Sequence, residues 1–327
     1  MSTVVTVTGA SGHIGANLVR ALLEHGHQVR ATVYRDARAL EDLDVERVEA
    51  DVLDVRSIRR AIDGAELVYH LAAVISITGD PDGQMRRVNV EGTRNVARAC
   101  IEAGVKRMVH FSSIHAFSPR PESEPIDEHR GPAEPDSMAY DQTKAAGERE
   151  VLAAVERGLD GVILNPTSIL GPHDYKPSLM GQVLLDLHRG KFPALVDGGF
   201  DWVDVRDVVQ AALVAATKGR RGERHLLSGK WASFKELASL VGQTTGVPVP
   251  RFVAPMWLAR LGAPFMVALN SVVGKRPLYT SSSLRALRCH RRVVSGKAQE
   301  LLAFRPRPLR QTIEETFAWL GEAGMLA

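Results

Sequence analysis

The chain has 327 residues, of which 45% are hydrophobic and 24% are charged, and its formal net charge at pH 7 is +3. This composition excludes a largely disordered protein, and the dispersed basic residues give no argument for nucleic-acid binding. The length predicts one large domain with a smaller appendage, or two domains.

Cysteine and histidine usage argues against disulfide and metal chemistry. Cys100 and Cys289 are the two cysteines, so a disulfide framework is excluded, and Cys100 stands in an apolar helical pattern that predicts burial. The histidines, His110 and His115 among them, show no metal-ligand spacing, and no metal is expected. Met1 runs almost directly into the first predicted strand, without a basic or apolar leader, which predicts a cytoplasmic protein.

The first predicted strand and helix enclose a glycine-rich turn. Residues 3–8 form a β-branched run typical of a buried parallel strand, and an apolar-periodic helix follows the turn. Glycines at such a turn let the backbone bend and approach a ligand closely, while the helix N-terminus attracts a pyrophosphate. We therefore predict a dinucleotide-binding turn formed by Gly9, Ser11, Gly12, His13, Ile14 and Gly15.

The remaining strands and helices alternate along the chain. Strands are predicted near residues 28–34, 46–50, 66–72, 106–112 and 161–165, with helical patterns between them. Such alternation is typical of an α/β fold with a doubly wound parallel (Rossmann) sheet, which binds ligands at the carboxyl ends of its strands. The pattern changes near Gly171, where helices are predicted around 178–189 and 209–217. We therefore assign 1–170 to a dinucleotide-binding domain and 171–327 mainly to a smaller C-terminal substrate lobe.

A tyrosine and a lysine stand four residues apart in a segment that has a helical pattern. At this spacing the side chains of Tyr140 and Lys144 lie on one face of a helix. A cation beside a phenol lowers the phenol pKa, so the pair predicts general acid or base chemistry. Asp204 and Asp207 begin another helical run and are interpreted as capping residues.

These motifs together resemble the extended branch of the short-chain dehydrogenase/reductase superfamily, also called the NAD-dependent epimerase/dehydratase family. The spacing G-x-x-G-x-x-G, the Tyr140–Lys144 pair and the segment Ser112-Ser113-Ile114 carry the resemblance. Several motifs agree in particular with the dihydroflavonol reductase and 3β-hydroxysteroid dehydrogenase group. In this family the segments corresponding to residues 200–228 return to the Rossmann domain.

The resemblance also implies roles for individual residues. Tyr140 would be the proton donor and acceptor, and Lys144 would lower the Tyr140 pKa and hold the nicotinamide ribose. Ser113, in preference to Ser112, would hydrogen-bond the substrate oxygen. Further cofactor-binding residues are implied at the ends of several strands and in one helix: Asp51, Val52, Leu71, Ala72, Ala73, Asn89, Asn165, Pro166 and Thr167.

The choice of cofactor depends on the residues that follow the second strand. An acid there binds the ribose hydroxyls of NAD, whereas a cation accepts the extra phosphate of NADP. No acid follows Val33 directly, and Arg35 and Arg38 are nearby, so the sequence favours NADP. Asp36 keeps NAD as the alternative.

The favoured function is hydride transfer between NAD(P) and a carbonyl or secondary alcohol of a sizeable apolar small molecule. One alternative is a sugar-nucleotide epimerase or dehydratase with tightly held NAD, although Phe200 stands where many such enzymes have an arginine. Another is a non-catalytic dinucleotide sensor. For the apolar residues 252–274, packing as a substrate lid is favoured over peripheral membrane contact. The oligomeric state is left open, with a homodimer as one option.

Overall fold

The computed structural model describes residues 3–250, 252–258, 287 and 292–326. A parallel sheet of seven strands forms its centre, in the order β10-β6-β5-β4-β1-β2-β3. Its strands are β1 (Val4–Thr8), β2 (Gln28–Val33), β3 (Glu46–Glu49), β4 (Leu67–His70), β5 (Arg107–Phe111), β6 (Gly161–Pro166) and β10 (Arg224–Leu227). The predicted α/β class and the doubly wound parallel sheet are confirmed.

Helices cover both faces of this sheet. They are α1 (His13–Glu24), α2 (Val55–Ile62), α3 (Gln84–Arg86), α4 (Thr93–Glu102), α5 (Ala139–Glu156), α6 (Leu179–His188), α7 (Val205–Lys218), α8 (Phe234–Thr245), α9 (Gly296–Leu301) and α10 (Leu309–Glu322). A π-helical turn, Arg87–Gly92, joins α3 to α4, and short 3₁₀ turns occupy Arg38–Leu40 and Ile114–Ala116.

The sheet separates two apolar cores. On one face the strands pack against α1 and α7, with Leu18, Leu22 and Val208 fully buried. On the other face they pack against α2, α4 and α5, where Ile58 and Cys100 are among the buried residues. Strand β6 is buried at every position, which explains its consecutive apolar residues Val162, Ile163 and Leu164, whereas the edge strand β3 is mostly exposed. The predicted burial of Cys100 is confirmed, whereas Cys289 lies outside the described residues.

The strand order reverses beside β1, and this reversal creates the binding crevice. Strand β1 pairs with β2 on one side and with β4 on the other, so the connections on the two sides run in opposite directions. In open α/β sheets ligands bind at this point, outside the carboxyl ends of the strands. The glycine-rich turn after β1 lies at this position.

Residues beyond Gly171 contribute both to the sheet and to a separate apolar cluster. A three-stranded sheet contains β7 (Ser168–Leu170), β9 (Gly199–Asp204) and β11 (Lys230–Ser233), and a small pair joins β8 (Leu195–Val196) to β12 (Val253–Ala254). Leu184, Leu237 and Phe317 belong to the cluster formed by α6, α8 and α10. The domain division near residue 170 stays a prediction, although β10 does pair with β6 in the central sheet.

Helix α7 begins four residues earlier than the sequence pattern indicated, because Asp204 caps it. The Asp204 carboxylate accepts a hydrogen bond of 2.8 Å from the Arg206 backbone amide. Asp207, in the first turn, instead accepts bonds from the backbone amide and the guanidinium of Arg307, at 2.8 and 2.9 Å. Asp207 therefore ties α7 to the segment that precedes α10.

We predict that Asp207→Asn lowers the free energy of unfolding by about 2 kcal/mol, because a charge-assisted bond within a mostly buried pair is lost. Chemical denaturation at a constant m-value measures the change. Asp42→Asn, at an exposed position, is the matched control. A change no larger than in this control would contradict the assigned role of the ion pair.

Candidate active site

The glycine turn after β1 has two crowded glycines and one that is more open. Gly9 has a φ of +69°, and a Cβ there would lie 2.7 Å from the Ala72 nitrogen. A Cβ on Gly15 would clash with the Gly9 carbonyl oxygen, whereas one on Gly12 would lie 3.3 Å from that oxygen. Gly9 and Gly15 are thus needed to form the turn itself. Gly12 lies at the N-cap of α1, and its role in binding a pyrophosphate stays a prediction.

The turn is also joined to the segment that follows β7. The His13 ring nitrogen Nε2 lies 3.1 Å from the Pro172 carbonyl oxygen, and the Asn17 amide donates to the same oxygen at 2.9 Å. These contacts hold the glycine turn against the start of the second half of the chain.

Helix α5 carries the predicted tyrosine and lysine on its first two turns. Tyr140 hydrogen-bonds Ser113, and the Ser113 hydroxyl accepts a bond of 3.2 Å from the His115 backbone amide. Ser113 begins the 3₁₀ turn after β5, which brings its hydroxyl to the N-terminal end of α5. The structure therefore brings together Ser113 and Tyr140, two residues that are distant in sequence.

Burial dominates the electrostatics of Tyr140, contrary to the sequence expectation. It raises the pKa of Tyr140 to about 12, while the bond to Ser113 opposes part of this shift. The expected lowering by Lys144 is thus not found in this structure. The Lys144 ammonium instead donates a bond of 2.9 Å to the Phe111 carbonyl oxygen, and burial lowers the pKa of Lys144 to about 8.

A buried carboxylate lies one turn beyond Lys144 on the same helix. Glu148 is 3% exposed and accepts a bond of 2.5 Å from the Asn165 amide, which also donates to the Ser113 carbonyl oxygen at 3.0 Å. Burial raises the Glu148 pKa, and the charge of Glu148 in turn favours the protonated form of Lys144. Glu148 and Asn165 thereby support the turn that holds Ser113.

One cavity of about 420 Å³ extends from the glycine turn to an apolar region. Its wall includes Gly12, Ser113, Tyr140 and Lys144. The apolar part is contributed by residues from several separate elements: Ile75, Ile77, Met138, Leu179, Met180, Val183, Phe192, Phe200, Trp202, Phe234 and Leu287. The cavity therefore connects the glycine turn and the predicted catalytic residues to an apolar region.

The predicted cofactor residues divide into those that line this cavity and those that do not. Leu71, Ala73, Pro166 and Thr167 line it, as do most residues of the glycine turn: Gly9, Gly12, His13, Ile14 and Gly15. The others lie outside the lining: Ser11, Arg35, Arg38, Asp51, Val52, Ala72, Asn89 and Asn165. The roles of both groups of residues in cofactor binding stay predictions.

Asn89 belongs to the second group and makes several hydrogen bonds within the protein. Its side chain bonds the Val74 amide at 2.8 Å and donates to the Val74 carbonyl at 2.9 Å and the Thr143 hydroxyl at 3.1 Å. It therefore fixes the π-helical turn against α5 and the loop after β4.

The residues after β2 form two separate contacts. The Arg35 guanidinium stacks on the Tyr34 ring, 4.7 Å from its centroid, and Tyr34 is 52% exposed. Arg38 binds Asp36 at 2.7 Å, and this bond holds the Asp36 pKa at about 2. Asp36 is thus occupied by Arg38 in this structure, while Arg35 lies beside the strand end.

Sequence reasoning missed a histidine and aspartate that adjoin Tyr140. His115 lines the cavity, and its Nδ1 lies 2.8 Å from the Asp141 carboxylate. The His115 ring meets the Tyr140 ring edge-on, with 5.4 Å between centroids. Only the positions of the two residues in the sequence could have indicated this contact, because His115 follows Ser113 by two residues and Asp141 follows Tyr140 directly.

The described part of the chain contains neither a metal-binding cluster nor a membrane-spanning helix. No group of three or more His, Cys, Asp and Glu side chains there is arranged to hold a metal ion. No helix within the same residues is both long and apolar enough to cross a membrane. Of the segment 252–274, only residues 252–258 are described, with Phe252 and Trp257 exposed. The remainder of the predicted lid lies outside the described residues.

The chain is similar to several known proteins. Residues 5–227 match the model of the NAD dependent epimerase/dehydratase family. The chain is 40% identical to "Sterol demethylase protein B" of Methylococcus capsulatus, covering 98% of this chain and 99% of the relative. It is 32% identical to a "Putative dihydroflavonol 4-reductase" of Synechocystis, covering 97% and 94%. The crystal structure of gox2253 superposes with a TM-score of 0.85 at 32% identity, over 100% of both chains.

We predict that Gly12→Val folds but loses dinucleotide affinity by about 100-fold, because the added methyl groups displace a phosphate from two backbone amides. Calorimetric titration with NADPH and NADH measures the loss, and thermal unfolding checks the fold. Gly15→Val is the comparison variant and is expected to destabilise the protein instead, since its Cβ meets the Gly9 carbonyl. Unchanged dinucleotide affinity in a folded Gly12→Val protein would show that the turn does not bind the dinucleotide.

Proposed function

The chain belongs to the NAD dependent epimerase/dehydratase family, and from this premise we propose that it interconverts a ketone and a secondary alcohol on a sizeable apolar small molecule. Enzymes of this kind are oxidoreductases, and the nicotinamide cofactor supplies or accepts the hydride. One observation carries the proposal: the Ser113–Tyr140 hydrogen bond lies on the wall of a cavity shared by the glycine turn and many apolar side chains.

Three polar residues of the cavity wall have a task in this proposal. Ser113 donates a hydrogen bond to the substrate oxygen and stabilises the alkoxide that develops in reduction. Tyr140 gives its proton to that oxygen, or takes it back in oxidation. With its pKa raised to about 12, the phenol is protonated at neutral pH and is a weaker acid than an exposed tyrosine. Lys144 would hold the nicotinamide ribose.

The apolar lining supports a large hydrophobic substrate. The two relatives described above are named for a sterol and for a flavonol, both of them ring systems of appreciable size. Phe200 and Trp202 meet edge-on at 5.3 Å and form part of the cavity wall. A ketone on a ring system would bury its hydrocarbon against this wall while its oxygen reaches Ser113.

The sugar-nucleotide alternative receives less support from the same wall. A nucleotide diphosphate needs cationic or amide groups, and the position where many epimerases have an arginine holds Phe200. A non-catalytic sensor would have no need of the Ser113–Tyr140 bond. Oxidation or reduction of an apolar alcohol or ketone therefore remains the function that the site supports best.

A direct test measures NADPH oxidation and NADP⁺ reduction with a panel of cyclic ketones and the matching alcohols. Conversion of UDP-glucose is measured by chromatography, because an epimerase causes no net change in its cofactor. The proposal expects turnover with apolar ring substrates and none with the sugar nucleotide. Turnover confined to UDP-glucose would overturn it in favour of the epimerase reading.

We predict that Tyr140→Phe lowers kcat by about 10²- to 10⁴-fold, because the variant lacks only the transferable proton. Steady-state kinetics measure the loss, and calorimetry is expected to show cofactor affinity within about threefold of the unmodified protein, since one hydroxyl contact is worth about 1 kcal/mol or less. Tyr175→Phe, a tyrosine outside this cavity wall, serves as the control. Near-normal turnover in Tyr140→Phe would exclude the proposed acid.

We further propose NADP as the preferred cofactor, because no acid follows Val33 directly and the Arg35 guanidinium lies beside the strand end. A guanidinium binds phosphate through charge-assisted bonds that only NADPH can make. Arg38 could join it by exchanging its bond to Asp36 for one to phosphate.

The double variant Arg35→Ala/Arg38→Ala should lose NADPH affinity by about tenfold or more while keeping that for NADH, since charged hydrogen bonds contribute about 1.5–3 kcal/mol. Fluorescence titration with both cofactors measures the two affinities. Arg56→Ala, on the exposed side of α2, is the matched control for loss of charge. Tighter NADH binding by the unmodified protein would assign the pocket to NAD.

A further inference from the structure

The ring of His13 lies between the glycine turn and the second half of the chain. His13 is the first residue of α1 and lines the same cavity as Gly9 and Gly12. Its ring also approaches Asp174, with 4.0 Å between Nδ1 and the carboxylate, and the two side chains are only 9% and 7% exposed. A histidine and an aspartate that are distant in sequence thus meet beside the predicted pyrophosphate site.

The contact with Pro172 determines which nitrogen of the His13 ring carries a proton. A carbonyl oxygen only accepts hydrogen bonds, so Nε2, which lies 3.1 Å from the Pro172 oxygen, must be the donor. In the neutral ring Nδ1 is then unprotonated, and its lone pair is close to the negative Asp174 carboxylate. In the charged ring Nδ1 also carries a proton, and the same approach becomes attractive. The arrangement therefore favours the charged form of His13.

Asp174 is held in position by the start of α6. Its carboxylate accepts a hydrogen bond of 2.8 Å from the Ser178 amide, and a Cβ on Gly181 would clash with the same oxygen. Arg20 on α1 donates a bond of 2.8 Å to the Tyr175 hydroxyl, which attaches the same loop to α1 at a second point. The carboxylate is therefore fixed relative to α1 as well as to α6.

A second histidine in this loop does not compete for the proton. The pKa of His173 is lowered to about 4 by burial and by the positive charges of Arg20, His13 and Arg206, so its ring is neutral at neutral pH. The N-terminal end of α1 carries a partial positive charge, which opposes a cation at His13. An anion bound at the glycine turn removes this opposition, because it attracts both the helix end and the charged ring.

Three further titratable side chains share the cavity wall with His13: Tyr140, Lys144 and His115. Burial raises the pKa of Tyr140 to about 12 and lowers that of Lys144 to about 8, so near neutral pH the phenol is uncharged and the ammonium is mostly charged. The His115 ring contacts the Asp141 carboxylate. A proton gained by His13 must therefore be distinguished from one gained elsewhere on this wall, and substitution of His13 alone makes that distinction.

We propose that His13, held by Asp174, takes up a proton from solvent when the dinucleotide binds, and that its charged ring then helps to bind the pyrophosphate. Asp174 is the positioning residue of this pair. The inference rests on the proposed cofactor site and is independent of the substrate. Because the bound protein holds more protons than the free protein, cofactor affinity rises as the pH falls and declines as the pH rises.

Calorimetric titration of the whole protein with NADH and with NADPH, in two buffers of different ionisation enthalpy, measures the protons taken up on binding. NADH is the main probe, because the extra phosphate of NADPH itself titrates near neutral pH. His13→Gln keeps an N–H donor but cannot gain a proton, and we expect it to take up fewer protons per cofactor than the unmodified protein, by about 0.3 or more. Asp174→Asn, which keeps an acceptor for the Ser178 amide, should lose at least about half of this difference. His129→Gln, at an exposed position, is the matched control.

A merely structural role of His13 would weaken binding equally at every pH and leave proton uptake unchanged. We instead expect His13→Gln to bind NADH about fivefold or more weakly near pH 6 and less than about twofold more weakly near pH 8, because deprotonation removes the charge from the unmodified protein as well. Equal uptake in both proteins, or an equal loss of affinity at both pH values, would overturn the proposal. Unchanged uptake in Asp174→Asn would overturn the positioning role.

Thermal unfolding checks that each variant folds. If Asp174→Asn does not fold, the comparison of the unmodified protein with His13→Gln still decides whether the proton belongs to His13. Cofactor binding without proton uptake at His13 would overturn this inference alone. Failure of both NADH and NADPH to bind the unmodified protein would remove the proposed cofactor site, and this inference with it.

Discussion

The buried ammonium of Lys144 is the constraint around which the site is built. A charge removed from water needs compensation, and here the Phe111 carbonyl and the nearby Glu148 carboxylate supply it. Glu148 in turn receives the Asn165 amide, which also binds the carbonyl of Ser113. Helix α5 is thereby attached to the ends of β5 and β6 at once. The relative position of Tyr140 and Ser113 follows from these attachments.

Close packing of α5 against the π-helical turn also holds this helix in place. A Cβ on Gly147 would lie 2.6 Å from the Asn89 carbonyl oxygen, so α5 approaches the π-helical turn as closely as a glycine allows. The Asn89 side chain then bridges this turn to Thr143 on α5 and to the loop after β4. Several elements on the β4 side of the crevice are therefore fixed to one helix. This is the kind of support that a site needs to hold its reacting groups in register.

Electrostatics within the cavity result from competition between burial and hydrogen bonding. For Tyr140, burial outweighs the bond to Ser113, and its pKa rises. For Asp36, which is near the surface, the bond to Arg38 prevails and its pKa falls. The direction of each shift depends on how deeply the acid is buried and on which groups bond to it. Lys144 lies on the face of Tyr140's helix but directs its proton to a backbone carbonyl.

Much of the architecture was predictable from local sequence. Strand and helix alternation, the glycine turn and the Tyr140–Lys144 spacing depend on periodicity and on backbone freedom, which neighbouring residues determine. The apolar cavity wall and the His115–Asp141 contact were not predictable, because they join elements whose approach depends on packing across the whole fold. The sign of the Tyr140 pKa shift was also decided by tertiary structure, since the degree of burial is a property of the folded chain. The sequence by itself thus determined which chemical groups stand at the strand ends, and the tertiary structure decided which of them meet.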